Sequence, residues 1–173
     1  TTTAAPTTVP APPPDPVGPV PQLAWDHAAS CDFAVSGDTP GLWPILDELT
    51  SITGIRFHPS PADPANSGIV VHNGPVPGLR SADGALVPLS NGSTFAGGDL
   101  WVTARSTGDP TLLRHEMGHG FGLGHDPGTV MDARASASRQ NPDWNASEIA
   151  SLTAFGQRTG CRGQAGTRLS YPA

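Results

Sequence analysis

The sequence predicts an α+β domain, several short strands with three helices, on three observations. Short apolar or β-branched runs at Phe33–Val35, Ile55–Phe57, Ile69–His72 and Leu100–Ala104 have the length and composition of strands. Three longer stretches, opening near Leu42, Pro110 and Asn145, carry apolar residues at helical spacing behind capping or proline signals. Glycine and proline, 21 and 20 of the 173 residues, punctuate the intervals between them. That length allows one domain of ordinary size plus a tail.

Residues 1–22, TTTAAPTTVPAPPPDPVGPVPQ, are Thr, Pro and Ala with almost no charge. Such a segment is extended and buries no core, so it reads as a linker or disordered tail, with the domain over 23–173. From Gln22 to Ser36, alternation at Phe33 and Val35 predicts a strand just after Cys31. Asp38-Thr39-Pro40 leads into Leu42, Trp43, Ile45, Leu46 and Leu49, a helical stripe ending near Gly54. Pro44 falls in its first turn, where a missing N–H costs little. Ile55–Phe57 reads as a strand closed by Pro59, Pro61 and Pro64, and Ile69–His72 as a buried strand. Residues 73–84 are loop by composition, Ala85–Leu89 is a short apolar segment, Asn91-Gly92-Ser93 is a turn, and Leu100–Ala104 is a further strand.

Asp109 caps the next helix with Pro110 at its first position, and Leu113, Met117 and Phe121 share its core face. Asn145 with Glu148 three residues on is a capping signature. It opens a last helix through Ile149, Leu152 and Phe155 that stops near Gly160. Cys161 follows. With Cys31 it forms one even pair, far apart in sequence, which suits a single disulfide in an oxidising compartment; two buried free thiols are the alternative.

The middle helix carries the chemistry. His115 and His119 stand four apart, one turn above each other on the same helical face, and can present two imidazole nitrogens to one ion. Glu116 is rotated by about 100 degrees from His115 and reaches toward a metal-held water rather than the metal. Gly122 accepts the left-handed backbone that ends a helix, and the reversal brings His125 round as third ligand. Three histidines leave a fourth tetrahedral position open, the layout of a catalytic zinc. Two other readings use the same residues: a His-rich surface helix with no ion, and a structural zinc closed by a fourth protein ligand.

With Met131 six residues beyond His125, the pattern His115-Glu116-x-x-His119-x-x-Gly122-x-x-His125 resembles the metzincin clan of zinc metallopeptidases. The run Gly97-Gly98-Asp99-Leu100-Trp101-Val102 and the short link from Asp126 to Val130 most resemble the matrixins and their compact bacterial relatives, and the likeness covers roughly residues 23–160. It implies a zincin fold: a twisted mixed sheet, an active-site helix, a helix packed on the sheet and a C-terminal helix after the Met-turn. It implies a zinc endopeptidase in which Glu116 takes a proton from zinc-bound water and passes it to the leaving amine. Met131 would be the Met-turn, a hydrophobic floor beneath one catalytic zinc.

Asp126 stands where the adamalysin branch has an aspartate that hydrogen-bonds under the Met-turn; a plain turn aspartate before Pro127 is the other reading. Ala85–Leu89 would be the edge strand on which an extended protein or peptide substrate adds as a further strand, and Asp132–Ser136 would wall the pocket after the scissile bond. The sequence also departs from matrixins. Trp101 and Thr103 stand where those proteins have His and Asp, which removes support for a second zinc and leaves calcium doubtful. A zinc-proximal tyrosine is not expected, since the sole tyrosine, Tyr171, lies in the tail. His27, His58 and His72 fall outside any ligand spacing and read as structural or surface residues.

Net charge is −6, and the nine basic residues, all Arg, are dispersed. That excludes a nucleic-acid footprint or polybasic membrane patch, and no apolar run approaches the ~20 residues of a membrane span. Arg without Lys, beside abundant Gly, Ala and Pro, points to a high-GC bacterial coding bias. The expectation is a secreted or envelope-associated monomer. The competing functional class is an envelope-tethered binding or scaffold module that keeps the fold without useful turnover.

Overall fold

The structure is a computed structural model and describes residues 24–25, 31–61, 68–79, 81–91 and 94–162. The expected linker over 1–22, His27, Tyr171 and the Gly92-Ser93 part of the expected turn lie outside the described residues.

Among the described residues six strands make one mixed sheet: β1 (Ala24–Trp25), β2 (Asp32–Ser36), β3 (Arg56–Ser60), β4 (Gly68–Asn73), β5 (Gly84–Asn91) and β6 (Thr94–Val102). The order runs β1-β6-β4-β2-β3, with β5 on β6. Every pairing is parallel except β5–β6, which is antiparallel. β2 alternates Phe33 and Val35 inward with Asp32 and Ala34 half-buried on the other face, as a strand covered more fully on one face requires. The helices are α1 (Leu42–Thr53), α2 (Pro110–Gly120), α3 (Ala135–Ser138) and α4 (Ala146–Arg158).

β6 begins six residues earlier than the sequence predicts, at Thr94 rather than Leu100, and ends at Val102. Gly97 and Gly98, ahead of the expected start, lie inside the strand, where β4 runs unusually close: a Cβ on Gly97 would stand 2.1 Å from the main-chain oxygen of its partner Gly68. The apolar segment expected over Ala85–Leu89 is the antiparallel edge strand β5, and it contains Pro88. The Leu86 N–H turns away from β6 to Glu116. Two residues on, the Pro88 nitrogen faces the same side, where no other described strand pairs, so its missing N–H costs the ladder nothing.

α1 buries Leu42, Ile45, Leu46, Leu49 and Thr53, one stripe at helical spacing, and stops at Gly54, whose φ of 78° no other residue adopts so readily. α4 opens with the expected capping box: Asn145 accepts from the Ser147 and Glu148 amides, while Glu148 accepts from the Asn145 N–H. α4 crosses α1 with no room to spare, since a Cβ on Gly156 would lie 2.0 Å from the Thr53 oxygen. One core unites Phe33, Val35, Ile69 and Leu100 of the sheet with Leu46 of α1, Leu113 of α2 and Leu152 of α4. A chain of edge-to-face rings, Phe33–Phe57–Phe121–Phe155, runs from the sheet through the end of α2 to α4. Cys31 and Cys161 form a disulfide that fastens the chain just past α4 to the residue preceding β2.

Candidate metal centre

α2 positions two of the three histidines. Asp109 accepts from the Thr111 and Leu112 amides, satisfying donors that the first turn leaves orphaned, and Pro110 supplies a preset φ. Leu113 and Met117 are buried in the core, as is Phe121 just beyond the helix. Arg114 pins a further side of α2 to α1: Nε and Nη2 donate to the two carboxylate oxygens of Glu48 at 2.9 and 2.6 Å, and Nη1 donates to the Pro142 oxygen. The Glu48 carboxylate raises the guanidinium pKa above its usual value. Only 12% of that side chain is exposed, so this bidentate pair holds the rotation of the helix more firmly than a surface bridge would.

The helix ends at Gly120, two residues before the glycine expected to stop it, but Gly122 has the left-handed φ of 80° that turns the chain. The Gly122 N–H donates to the His119 oxygen and the Leu123 N–H to the Gly118 oxygen, the paired bonds of a Schellman ending. His125 is thereby returned toward His115 and His119, with ring centroids 4.7, 5.3 and 4.8 Å apart.

Hydrogen bonds fix which nitrogens are available. His115 Nδ1 lies 2.9 Å from the Val130 oxygen and His119 Nδ1 2.9 Å from the Leu123 oxygen. A carbonyl only accepts, so both Nδ1 atoms carry the hydrogen and the neutral rings keep bare Nε2 lone pairs. Those two Nε2 atoms face each other at 3.1 Å. Lone pairs that close repel; a cation between them reverses the sign, and two nitrogens of a tetrahedral zinc stand about 3.3 Å apart. Burial lowers the pKa of both rings, that of His119 to about 4, which favours the ligating neutral form. His115, His119 and His125 are together placed to hold a metal ion, and among the described residues no fourth His, Cys, Asp or Glu joins them. The donor set fits a zinc with one open position.

Glu116 is 7% exposed. Its Oε2 accepts from the Leu86 N–H at 3.1 Å, and desolvation pushes its carboxyl up to about 7 against that bond. It is not lost in the interior: with His115 it lines a cavity of about 240 Å³, to which Gly84, Thr111, Asp132 and Ala133 also contribute. Of the segment Asp132–Ser136, expected to wall a pocket, Asp132, Ala133 and Ala135 line this cavity.

Met131 is fully buried, and a Cβ on Gly118 would meet its sulfur at 2.5 Å, so it floors the helix between the two ligand turns. Asp126 is exposed. Its main chain makes the contacts across the turn, its N–H donating to the Met131 oxygen and its oxygen accepting from the Thr129 N–H. The carboxylate that braces the turn belongs instead to Asp132, 3% exposed, which accepts from the Gly128 and Arg134 amides and the Arg134 guanidinium. Sequence reasoning placed Asp132 only in a pocket wall; its bond to the amide two residues on is the Asx-turn habit that would have marked it. His72 lies apart from the centre, stacked on Trp101 at 4.1 Å and 2.7 Å from Asp99 on the neighbouring parallel strand.

The chain matches no protein-family model and no curated protein sequence.

Proposed function

We propose that this chain is a secreted zinc-dependent endopeptidase of metzincin type, most like the compact bacterial matrixins. The observation that carries the reading is the pair of Nε2 lone pairs 3.1 Å apart, both rings held in the ligating tautomer by main-chain oxygens, with the Glu116 carboxyl in the adjoining cavity. Zinc bound there supplies a Lewis acid that polarises a carbonyl and acidifies water. Glu116 takes up the proton released on attack and delivers it to the leaving nitrogen. β5 offers its free side to an extended peptide, adding main-chain hydrogen bonds to the contacts in the cavity.

The disulfide supports an oxidising compartment, and among the described residues no helix is long and apolar enough to cross a membrane. The protein works as a monomer on protein or peptide substrates. The purified chain should carry about one zinc, cleave members of a broad peptide library, stop on chelation and recover with zinc. Glu116→Ala should keep the metal and lose cleavage. A zinc-loaded wild type inert on that library would favour the binding-module alternative instead.

A further inference from the structure

We propose that Asp132 is a positioning residue of the metal centre: its carboxylate clamps the loop whose Val130 carbonyl fixes the His115 ring. The inference rests on the metal-binding reading above. Asp132 Oδ2 accepts from the Gly128 N–H at 2.7 Å and Oδ1 from the Arg134 N–H at 2.8 Å. The Arg134 guanidinium adds Nε to Oδ1 at 3.2 Å and Nη2 to Oδ2 at 3.1 Å. Every partner is a donor. Only a carboxylate, which accepts on both oxygens, satisfies them all, and these donors hold its pKa well below the usual range, the Arg134 side chain foremost.

The clamp joins residue 128 to residue 134 across the two fully buried side chains of Val130 and Met131. Each part of the bridged loop meets the centre. The Val130 oxygen accepts from His115 Nδ1, the Met131 sulfur lies under Gly118 beside His119, and the Met131 oxygen accepts from the N–H of Asp126, next to His125. A loop released at either end would let the Val130 oxygen drift and free the His115 ring to rotate. Groups that orient a ligating imidazole in this way change metal affinity about 10–100-fold when lost.

The test compares zinc affinity, by chelator competition, in wild type, Asp132→Asn and Arg134→Ala. Asn keeps the shape but turns an N–H₂ toward donors. Asp132→Asn should weaken zinc about 10–100-fold, and in zinc-free protein it should move the Nδ1–H resonance of His115 while leaving that of His119, which bonds to Leu123 on another loop. Arg134→Ala keeps both main-chain donors and loses only a side chain that is 73% exposed, so it should weaken zinc less than about fivefold. An Arg134→Ala loss as large as that of Asp132→Asn overturns the main-chain clamp. Should Asp132→Asn fail to fold by circular dichroism, wild type decides: coupling is reciprocal, so zinc should slow amide exchange at Gly128 and Arg134 about tenfold or more. Unchanged affinity in Asp132→Asn, or exchange indifferent to zinc, overturns the proposal. A wild type that binds no zinc sinks the metal reading itself, which is a different result.

Discussion

His115 donates through Nδ1 to the main-chain oxygen of Val130, fifteen residues ahead in the sequence and 2.9 Å away in space. That bond decides which edge of the ring points at the metal position. His119 does the same through Leu123. In zinc-free protein at neutral pH, long-range ¹H–¹⁵N spectra should show both rings neutral and protonated on Nδ1 alone. An Nε2-protonated tautomer at either would contradict the donor assignment on which the centre is built.

Glu116→Gln should leave zinc bound and lower kcat by about 10²–10⁴-fold, the usual span for a positioned acid–base group. Gln keeps the size and can keep the bond from the Leu86 N–H but can neither take up nor release a proton near neutral pH. A variant with wild-type turnover would remove Glu116 from the chemistry.

The same substitution should change how stability varies with pH in chelator-treated protein. Desolvation lifts Glu116 from 4.5 to about 7. Between those values the folded chain keeps a proton that the unfolded chain has released, so this group's contribution to stability falls as pH rises. His119, lowered from 6.5 to about 4, works the other way across its own window. Glu116→Gln removes the first effect and leaves the second. The variant should therefore gain on wild type by up to about 3 kcal/mol between pH 4.5 and 7, read from urea midpoints; curves that stay parallel would refute the assignment.

Gly156→Ala should destabilise although alanine favours helices by about 1 kcal/mol. The added carbon would stand 2.0 Å from the Thr53 oxygen, a main-chain atom that cannot swing aside, so α4 must lift from α1 at a cost of about 3 kcal/mol or more. Thermal unfolding of the variant checks it, and a rise in Tm would show that the crossing is looser than described.

Loss of the disulfide in Cys31→Ala/Cys161→Ala should cost about 5 kcal/mol, the chain-entropy value for a loop closed over 130 residues. Denaturant titration of the double variant measures the cost. A cost below about 1 kcal/mol would mean that packing alone holds the end of α4 against the sheet.

The candidate metal site was legible because helical period and glycine spacing are local properties: the three histidines His115, His119 and His125, with Gly122 between the last two, fall within eleven residues. Asp109 and Asn145 announced their helices for the same reason. What the sequence hid depends on distant chain segments meeting. The strand was expected to start only at Leu100 because nothing near Gly97-Gly98 tells that Gly68 will face it. His72 seemed isolated because its partner Asp99 arrives on a parallel strand 27 residues later. The Val130 and Leu123 oxygens that orient the rings are main-chain atoms with no residue signature at all. α3, four residues long, is too short to leave a periodic trace.

The side of β5 that no other described strand pairs has a consequence for crowding. An unpaired strand edge is an invitation to self-association, one molecule zipping onto the next into fibres or aggregates. Here the invitation is short. The Leu86 donor is already engaged by Glu116, Pro88 offers none, and the register slips between Leu89 and Ser90. A neighbouring copy seeking a continuous ladder along this edge finds it broken.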